Sequence, residues 1–223
     1  MSRTVNLALT AGKKSVTAAE RNPRKRAWFW RKMKQVAHDR LKFIDESGVT
    51  TSLTRRFGRA APGERVAEGV PKNYGPSTSV LSMMGVGGVA TAMVIEGAVD
   101  TLVFDAFCDQ CLRPCLQAGD VVVLDNLGAH RASRIEKTAN DCEARVIWLP
   151  PYSPNFSPIE PMWAKLKTYL RKAKARTTAD LDHAIPAGLR LITQSDCRGW
   201  LTHCGYQVGV PRVTVKKTSL SSL

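Results

Sequence analysis

Residues 119–130, "GDVVVLDNLGAH", decide how the rest of the chain is read. Four apolar residues, Val121 to Leu124, follow a Gly-Asp pair and run straight into Asp125-Asn126 and a glycine. A short apolar run rich in β-branched residues and bounded by turn residues reads as a buried strand. Buried strands of this kind lie in sheets covered by helices, where the usual alternation of buried and exposed residues disappears. The aspartate that closes the run then stands at the carboxyl end of a strand, where the ligand sites of α/β sheets gather.

Working outward, "LKFIDESG" (41–48) is a second short apolar run, ending in acids and a Ser-Gly turn, which predicts a strand with Asp45 at its C-terminal end. "RVIWLPPYSP" (145–154) is a third, running into a proline-rich loop, and "ASRIEKTANDCEA" (132–144) between them has helical spacing. "DTLVFDAFCDQCLRPCLQ" (100–117) is also helical in pattern. In "SVLSMMGVGGVATAMVIEG" (79–97), Gly87-Gly88 divides two strand-like halves, so paired strands are predicted at about 79–86 and 89–95. "RRFGRAAPGERV" (55–66) resembles a hairpin with a Pro-Gly turn, and its Arg55 and Arg56 are candidate DNA contacts. Helices are expected from about 158 to 173 and from about 178 to 193. Strands joined by hairpins, followed by strand–helix–strand–helix, predict an α/β fold: a mixed sheet with helices on both faces.

"LPPYSPNFSPIEPMWAKLK" (149–167) carries a single acid, Glu160, where the helix should begin. Ser157 three residues ahead of Glu160, with Pro158 between them, is the pattern of a capping box. The helix has an apolar stripe of Ile159, Met162, Trp163, Leu166 and Leu170, which would pin it to the sheet. Lys165, Lys167, Arg171 and Lys172 lie off that stripe as candidate phosphate contacts.

The charge is divided along the chain. Of a net +14, residues 1–40 carry 11 Lys/Arg against 2 acids and residues 161–223 carry 11 against 3, while 41–160 hold 11 against 14. Basic flanks around a slightly acidic centre suit a protein that grips phosphates at its edges and holds cations in the middle. Within 20–40, "ERNPRKRAWFWRKMKQVAHDR" reads as a basic helix whose Trp28, Phe29 and Trp30 either stack on bases or anchor the helix, with anchoring favoured. Cys108, Cys111 and Cys115 recur at i, i+3, i+7 in an apolar stretch and read as small hydrophobes lining a core face rather than as disulfides or structural zinc, in keeping with a reduced, cytosolic setting. The longest uncharged run, Asn73 to Ile95, is interrupted by Pro76 and four glycines and reads as strands, not as a membrane span.

Asp45, Asp125 and Glu160 each have an ordinary explanation, as turn or helix caps. Together they make a set of oxygen ligands of the kind that hard divalent cations require. Mg²⁺ takes a few carboxylates and completes its shell with water and substrate phosphate oxygens. Two such ions can activate the attacking oxygen and stabilise the leaving one in a phosphoryl displacement.

The motifs "FIDESG", "VVVLDNLGAH" and "LPPYSPNFSPIEPMWAKLK", with 34 residues between Asp125 and Glu160, also resemble the DDE catalytic core of bacterial insertion-sequence transposases of the mariner superclass. The resemblance extends over about 20–206, including "GRAAPGERV" and "RGWLTHCGY". It implies an RNase H-like domain at 41–206, behind a basic leader and linker helix at 1–40 and before a disordered tail at 207–223. It implies Asp45, Asp125 and Glu160 as ligands of two Mg²⁺ ions, with Mn²⁺ as a substitute, and supporting roles for Asn126 and His130. The implied activity is strand cleavage at transposon ends and strand transfer into target, with double-stranded DNA as partner in the bacterial cytoplasm; a homodimer is left open. Family members carry N-terminal helix-turn-helix domains for which residues 1–40 have no room. A truncated copy, a separate helix-turn-helix protein from a split reading frame, and a non-catalytic DNA-binding remnant therefore all stay open.

Overall fold

The computed structural model describes residues 18–209 apart from positions 74, 76 and 127; the expected leader and tail beyond these limits lie outside the described residues. A basic helix, α1 (Pro23–Met33), precedes the sheet, its N-terminus capped by the Asn22 side chain. Strands β1 (Leu41–Val49), β2 (Thr78–Gly85) and β3 (Gly88–Glu96) follow. Then come α2 (Thr101–Phe107), β4 (Val121–Leu124), α3 (Ala129–Asp141), β5 (Arg145–Trp148), α4 (Ile159–Ala173), α5 (Thr178–Arg190) and α6 (Gln194–His203). The five strands form one mixed sheet in the order β3-β2-β1-β4-β5, antiparallel across the first three and parallel from β1 through β4 to β5.

Alternation along the strands feeds two cores. Leu41, Phe43, Val121, Val123 and Ile147 pack with α1, α4, α5 and α6, while Ile44, Val122 and Leu124 pack with α2 and α3 on the opposite face. Every residue of β4 is buried, which is why its sequence shows no alternation. The α4 stripe docks as expected, with Ile159, Met162, Trp163, Leu166 and Leu170 all at 3% exposure or less. Burying each such side chain stabilises the fold by about 1.5–3 kcal/mol before the entropy of ordering is subtracted. Two of the three aromatics of α1 anchor it: Phe29 stacks on Phe156, and Trp30 packs edge-on to Phe156 and against Tyr206, while Trp28 is half exposed.

Several boundaries differ from the sequence reading. β1 does not stop at Asp45, because β2 continues to pair with it as far as Val49 opposite Thr78. The hairpin between β2 and β3 turns on Val86-Gly87, with Gly88 at φ +131° already opening β3. Segment 55–66 forms a turn, with the Glu64 N–H bonded to the Ala61 carbonyl and Gly63 at φ +87°, but its flanks form no ladder. The basic helix ends at Met33, well short of residue 40. Helix α2 gives way at Cys108 to a wider turn through Leu112, so Cys108 is buried while Cys111 and Cys115 are half-buried, and all six cysteines are free thiols. What reads as one helix to 193 ends at Arg190, and Thr193 and Asp196 then form the capping box that starts α6. No helix among the described residues is long and apolar enough to cross a membrane.

Candidate active site

β1 and β4 run side by side only from Leu41 to Phe43, with Phe43 level with Val123. Two residues further on, Asp45 and Asp125 therefore leave the paired region at the same level. The parity of Leu41 and Phe43 turns Asp45 toward α4, and Asp45 and Asp125 share the lining of one small cavity with Ile44, Phe104, Leu124 and Arg131. Helix α4 supplies a direct link: the Trp163 indole N–H donates to Asp45 Oδ2 at 2.9 Å. Trp163 is almost fully buried, and Glu160 stands one helical turn before it, over the same strand ends.

The capping box at Ser157 does not form. The residue preceding the helix is Pro158, which has no side-chain capping bond, and the Glu160 N–H instead bonds the Ser157 carbonyl at 3.3 Å. Thr177 with Asp180 and Thr193 with Asp196 do form such boxes, so the acid of α4 differs from its counterparts in α5 and α6. Glu160 is exposed, and no side-chain capping bond forms at the start of its helix.

Electrostatics couples the three acids. Burial, opposed by hydrogen bonds from the Glu46 backbone and the Trp163 indole, pushes the half-buried Asp45 carboxyl up to about 6, and the charges of Glu160 and Asp125 push it the same way. Burial also raises Asp125. Glu160 is raised by burial and by the charge of Asp125, against a lowering by Lys167. Among the described residues no salt bridge engages any of the three. Nor do any three His, Cys, Asp or Glu side chains there stand close enough to hold a metal ion as they are placed. The donor set nonetheless fits a hard divalent cation: it is all carboxylate oxygen, mutually repelling and without a fixed positive partner.

Asn126 and His130 are both exposed, the first beside Asp125 and the second in the first turn of α3. The candidate basic contacts divide into groups. Arg55 and Arg56 line one groove with Phe57, Arg59, Lys172 and Lys174. Lys167 acts on Glu160, and Arg171 lies one turn further along α4. Lys165 is turned to α6, where its Nζ meets Asp196 Oδ2 at 2.5 Å, and that bond together with those from Thr193 holds the Asp196 carboxyl down at about 2.

Three features escape the sequence reading. Trp163 fits the apolar stripe, and nothing in its spacing reveals the bond to Asp45. Arg176 donates to the carbonyls of Thr51 and Leu53 at 3.0 and 2.9 Å and to Glu68 at 2.7 Å, fastening the loop that carries Arg55 and Arg56. Arg26 of α1 reaches Ser153 and Asn155 in the loop ahead of α4, a contact across 127 residues that no local pattern signals.

Comparison with known proteins places the fold and the family. No curated protein sequence matches the chain. Among solved structures, the Mos1 transposase paired-end complex with left transposon end is similar with a TM-score of 0.66 at 15% identity, covering 89% of this chain and 64% of that one. The mariner Mos1 paired-end complex with Mg is similar with a TM-score of 0.62 at 15% identity, covering 88% of this chain and 64% of that one. The catalytic domain of Mos1 mariner transposase gives a TM-score of 0.54 at 11% identity, covering 85% of this chain and 91% of that domain. The chain thus spans about two thirds of the transposase and nearly all of its catalytic domain, and the likeness establishes an RNase H-like fold. The family model described as DDE superfamily endonuclease matches residues 40–182, so the chain belongs to the DDE superfamily of endonucleases.

Proposed function

We propose that the chain is the catalytic domain of a transposase, cutting DNA at transposon ends and joining the freed end to target DNA. The observation that carries this reading is the set Asp45, Asp125 and Glu160: three carboxylates from within β1, just past β4 and the start of α4, with the charges of Asp125 and Glu160 raising Asp45 and that of Asp125 raising Glu160, and no salt-bridge partner among the described residues. In this reading the three residues hold two Mg²⁺ ions, replaceable by Mn²⁺. Bound there, the ions would supply Lewis-acid activation of the attacking oxygen and charge stabilisation at the leaving one.

The chain's own residues do the rest. Trp163 fixes the rotamer of Asp45 through its indole N–H, and the buried stripe of α4 keeps Glu160 at a constant height above the strand ends. Asn126 and His130 flank Asp125 and orient it or touch DNA. Lys167, Arg171, Lys172, Arg55 and Arg56 contact backbone phosphates and place the scissile bond, with Lys165 contributing if it leaves Asp196. A second copy of the chain and a separate helix-turn-helix protein fit this reading as partners.

Asp125→Ala is the direct test. It should abolish Mn²⁺-supported nicking of transposon-end DNA while the protein still folds and binds DNA. Nicking that survives the substitution would remove the site assignment. A wild-type protein that binds DNA and cuts none in either metal would leave a non-catalytic DNA-binding role.

A further inference from the structure

The loop between β5 and α4 displays an aromatic side chain in a costly backbone conformation. Tyr152 is 57% exposed and sits at φ +56°, the left-handed region that glycine enters freely and a tyrosine enters only under constraint. The constraint is visible on both sides of it. Pro150, Pro151, Pro154 and Pro158 fix their own φ angles and restrict the residues before them. Ser153 is buried, and its Oγ accepts from Arg26 Nη1 at 2.5 Å and donates to the Pro151 carbonyl at 3.3 Å. Asn155 Oδ1 accepts from Arg21 at 2.9 Å and Arg26 at 3.2 Å. The Arg26 guanidinium lies 3.7 Å from the centre of the Phe156 ring, and the buried Tyr206 hydroxyl donates to the Phe156 carbonyl at 2.7 Å.

The loop is thus fastened to α1 and to the chain after α6, while Tyr152 stays out in solvent. Its position is specific. The Leu149 N–H bonds the Leu124 carbonyl at 2.9 Å, so the loop leaves the sheet beside Asp125, and it ends at Glu160. An exposed ring contributes little to the core, and a strained backbone persists where the surroundings over-determine it, which is the signature of a group held for contact with something else.

We propose that Tyr152 is a substrate-contacting residue whose ring packs against a nucleotide of the DNA strand led to the carboxylates, a role that rests on the DNA-cleaving reading of the same site. Every nucleotide offers a flat apolar face, so an aromatic side chain beside a phosphate-tracking basic surface can hold a strand without reading its sequence. Two chemistries compete at this position, the ring and the hydroxyl, and the variants separate them.

The test measures affinity for a fluorescently labelled, nicked DNA duplex by anisotropy in EDTA, with melting temperature recorded in parallel. Tyr152→Ala should weaken binding about tenfold, and Tyr152→Phe and Tyr152→Trp should stay near wild type. Tyr152→Gly should weaken binding as much as alanine does, while its melting temperature does not fall, since glycine relieves the left-handed strain. Wild-type affinity in the Ala and Gly variants would overturn the proposal. So would a Phe variant as weak as Ala, or a Gly variant whose affinity falls only in step with its stability. Because no metal is present, the comparison decides on Tyr152 whether or not the wild-type protein nicks DNA in Mn²⁺; a wild-type protein with no affinity for DNA would overturn both readings together.

Discussion

The two faces of the sheet are built from the same alternating strands and serve different ends. On the α2 and α3 side the core mixes aliphatic, phenylalanine and cysteine side chains, with Leu112, Ile135, Phe107 and Cys108 fully buried, and its charged periphery is paired internally, Arg134 with Asp105 and Asp109. On the α4 side the core is aromatic, with Phe29, Phe43, Phe156, Trp163 and Tyr206, and its three acids at the strand ends have no salt bridge among the described residues. Both faces pair charges at their edges, Lys165 with Asp196 on the α4 side, and the three carboxylates stand outside that pairing. In the proposed function, one sheet therefore holds a structural layer and a chemical one back to back.

The largest expected effect is on chemistry. Glu160→Gln should lower Mn²⁺-dependent nicking on the order of a thousandfold, the loss expected when several kcal/mol of charge stabilisation disappear. Its melting curve should stay close to wild type, because Glu160 is exposed and caps nothing. A variant that loses stability instead would move Glu160 to the structural category.

Core truncation distinguishes the faces next. Leu166→Ala under α4 and Leu112→Ala under α3 should each cost about 2–5 kcal/mol in urea unfolding. Nicking per folded molecule should drop only for Leu166→Ala, since that side chain holds the helix bearing Glu160 and Trp163. Equal loss in both would mean that the two layers are mechanically coupled.

A smaller effect has the opposite sign. The folded Asp45 carboxyl titrates near 6, above its ordinary value of 3.8, so its ionised form is disfavoured by the fold. The stability it contributes is present below about pH 4 and is lost as pH rises through 6. Asp45→Asn should therefore raise the melting temperature in EDTA above pH 6, with the gain vanishing below pH 4. A gain independent of pH would show that charge is not its cause.

The smallest effect concerns salt. Lys172→Ala should reduce the slope of log affinity against log salt by about one. Lys165→Ala should leave the slope nearly unchanged, its charge being engaged by Asp196.

Much of this was legible beforehand because it is local. The buried run Val121 to Leu124 and the stripe on α4 each declare themselves within a dozen residues. Asp125 and Glu160 could be nominated for the same reason, since one follows a strand and the other opens a helix. What escaped depends on partners far away in the chain. Asp45 seemed to end its strand because its own composition changes there, yet β2 goes on pairing with it. Ser157 and Glu160 have capping spacing, but Pro158 occupies the position that precedes the helix, and the box never closes. Segment 55–66 has hairpin composition without a partner strand; Arg176, more than a hundred residues away, fastens its base instead. Lys165 has the same local credentials as Lys167, and only the placement of α6 separates them.

The short parallel contact between β1 and β4 also governs timing. Synthesis from the N-terminus delivers β1, β2 and β3 first, and their antiparallel ladder can form before the remainder has emerged. Asp125 takes its place beside Asp45 only when β4 adds to the far edge of β1, and Glu160 arrives only after β5 and the proline loop have docked. The set of three carboxylates is therefore among the last parts of the molecule to exist. A nascent or partly unfolded copy holds these acids apart, so the proposed site is complete only once folding is complete.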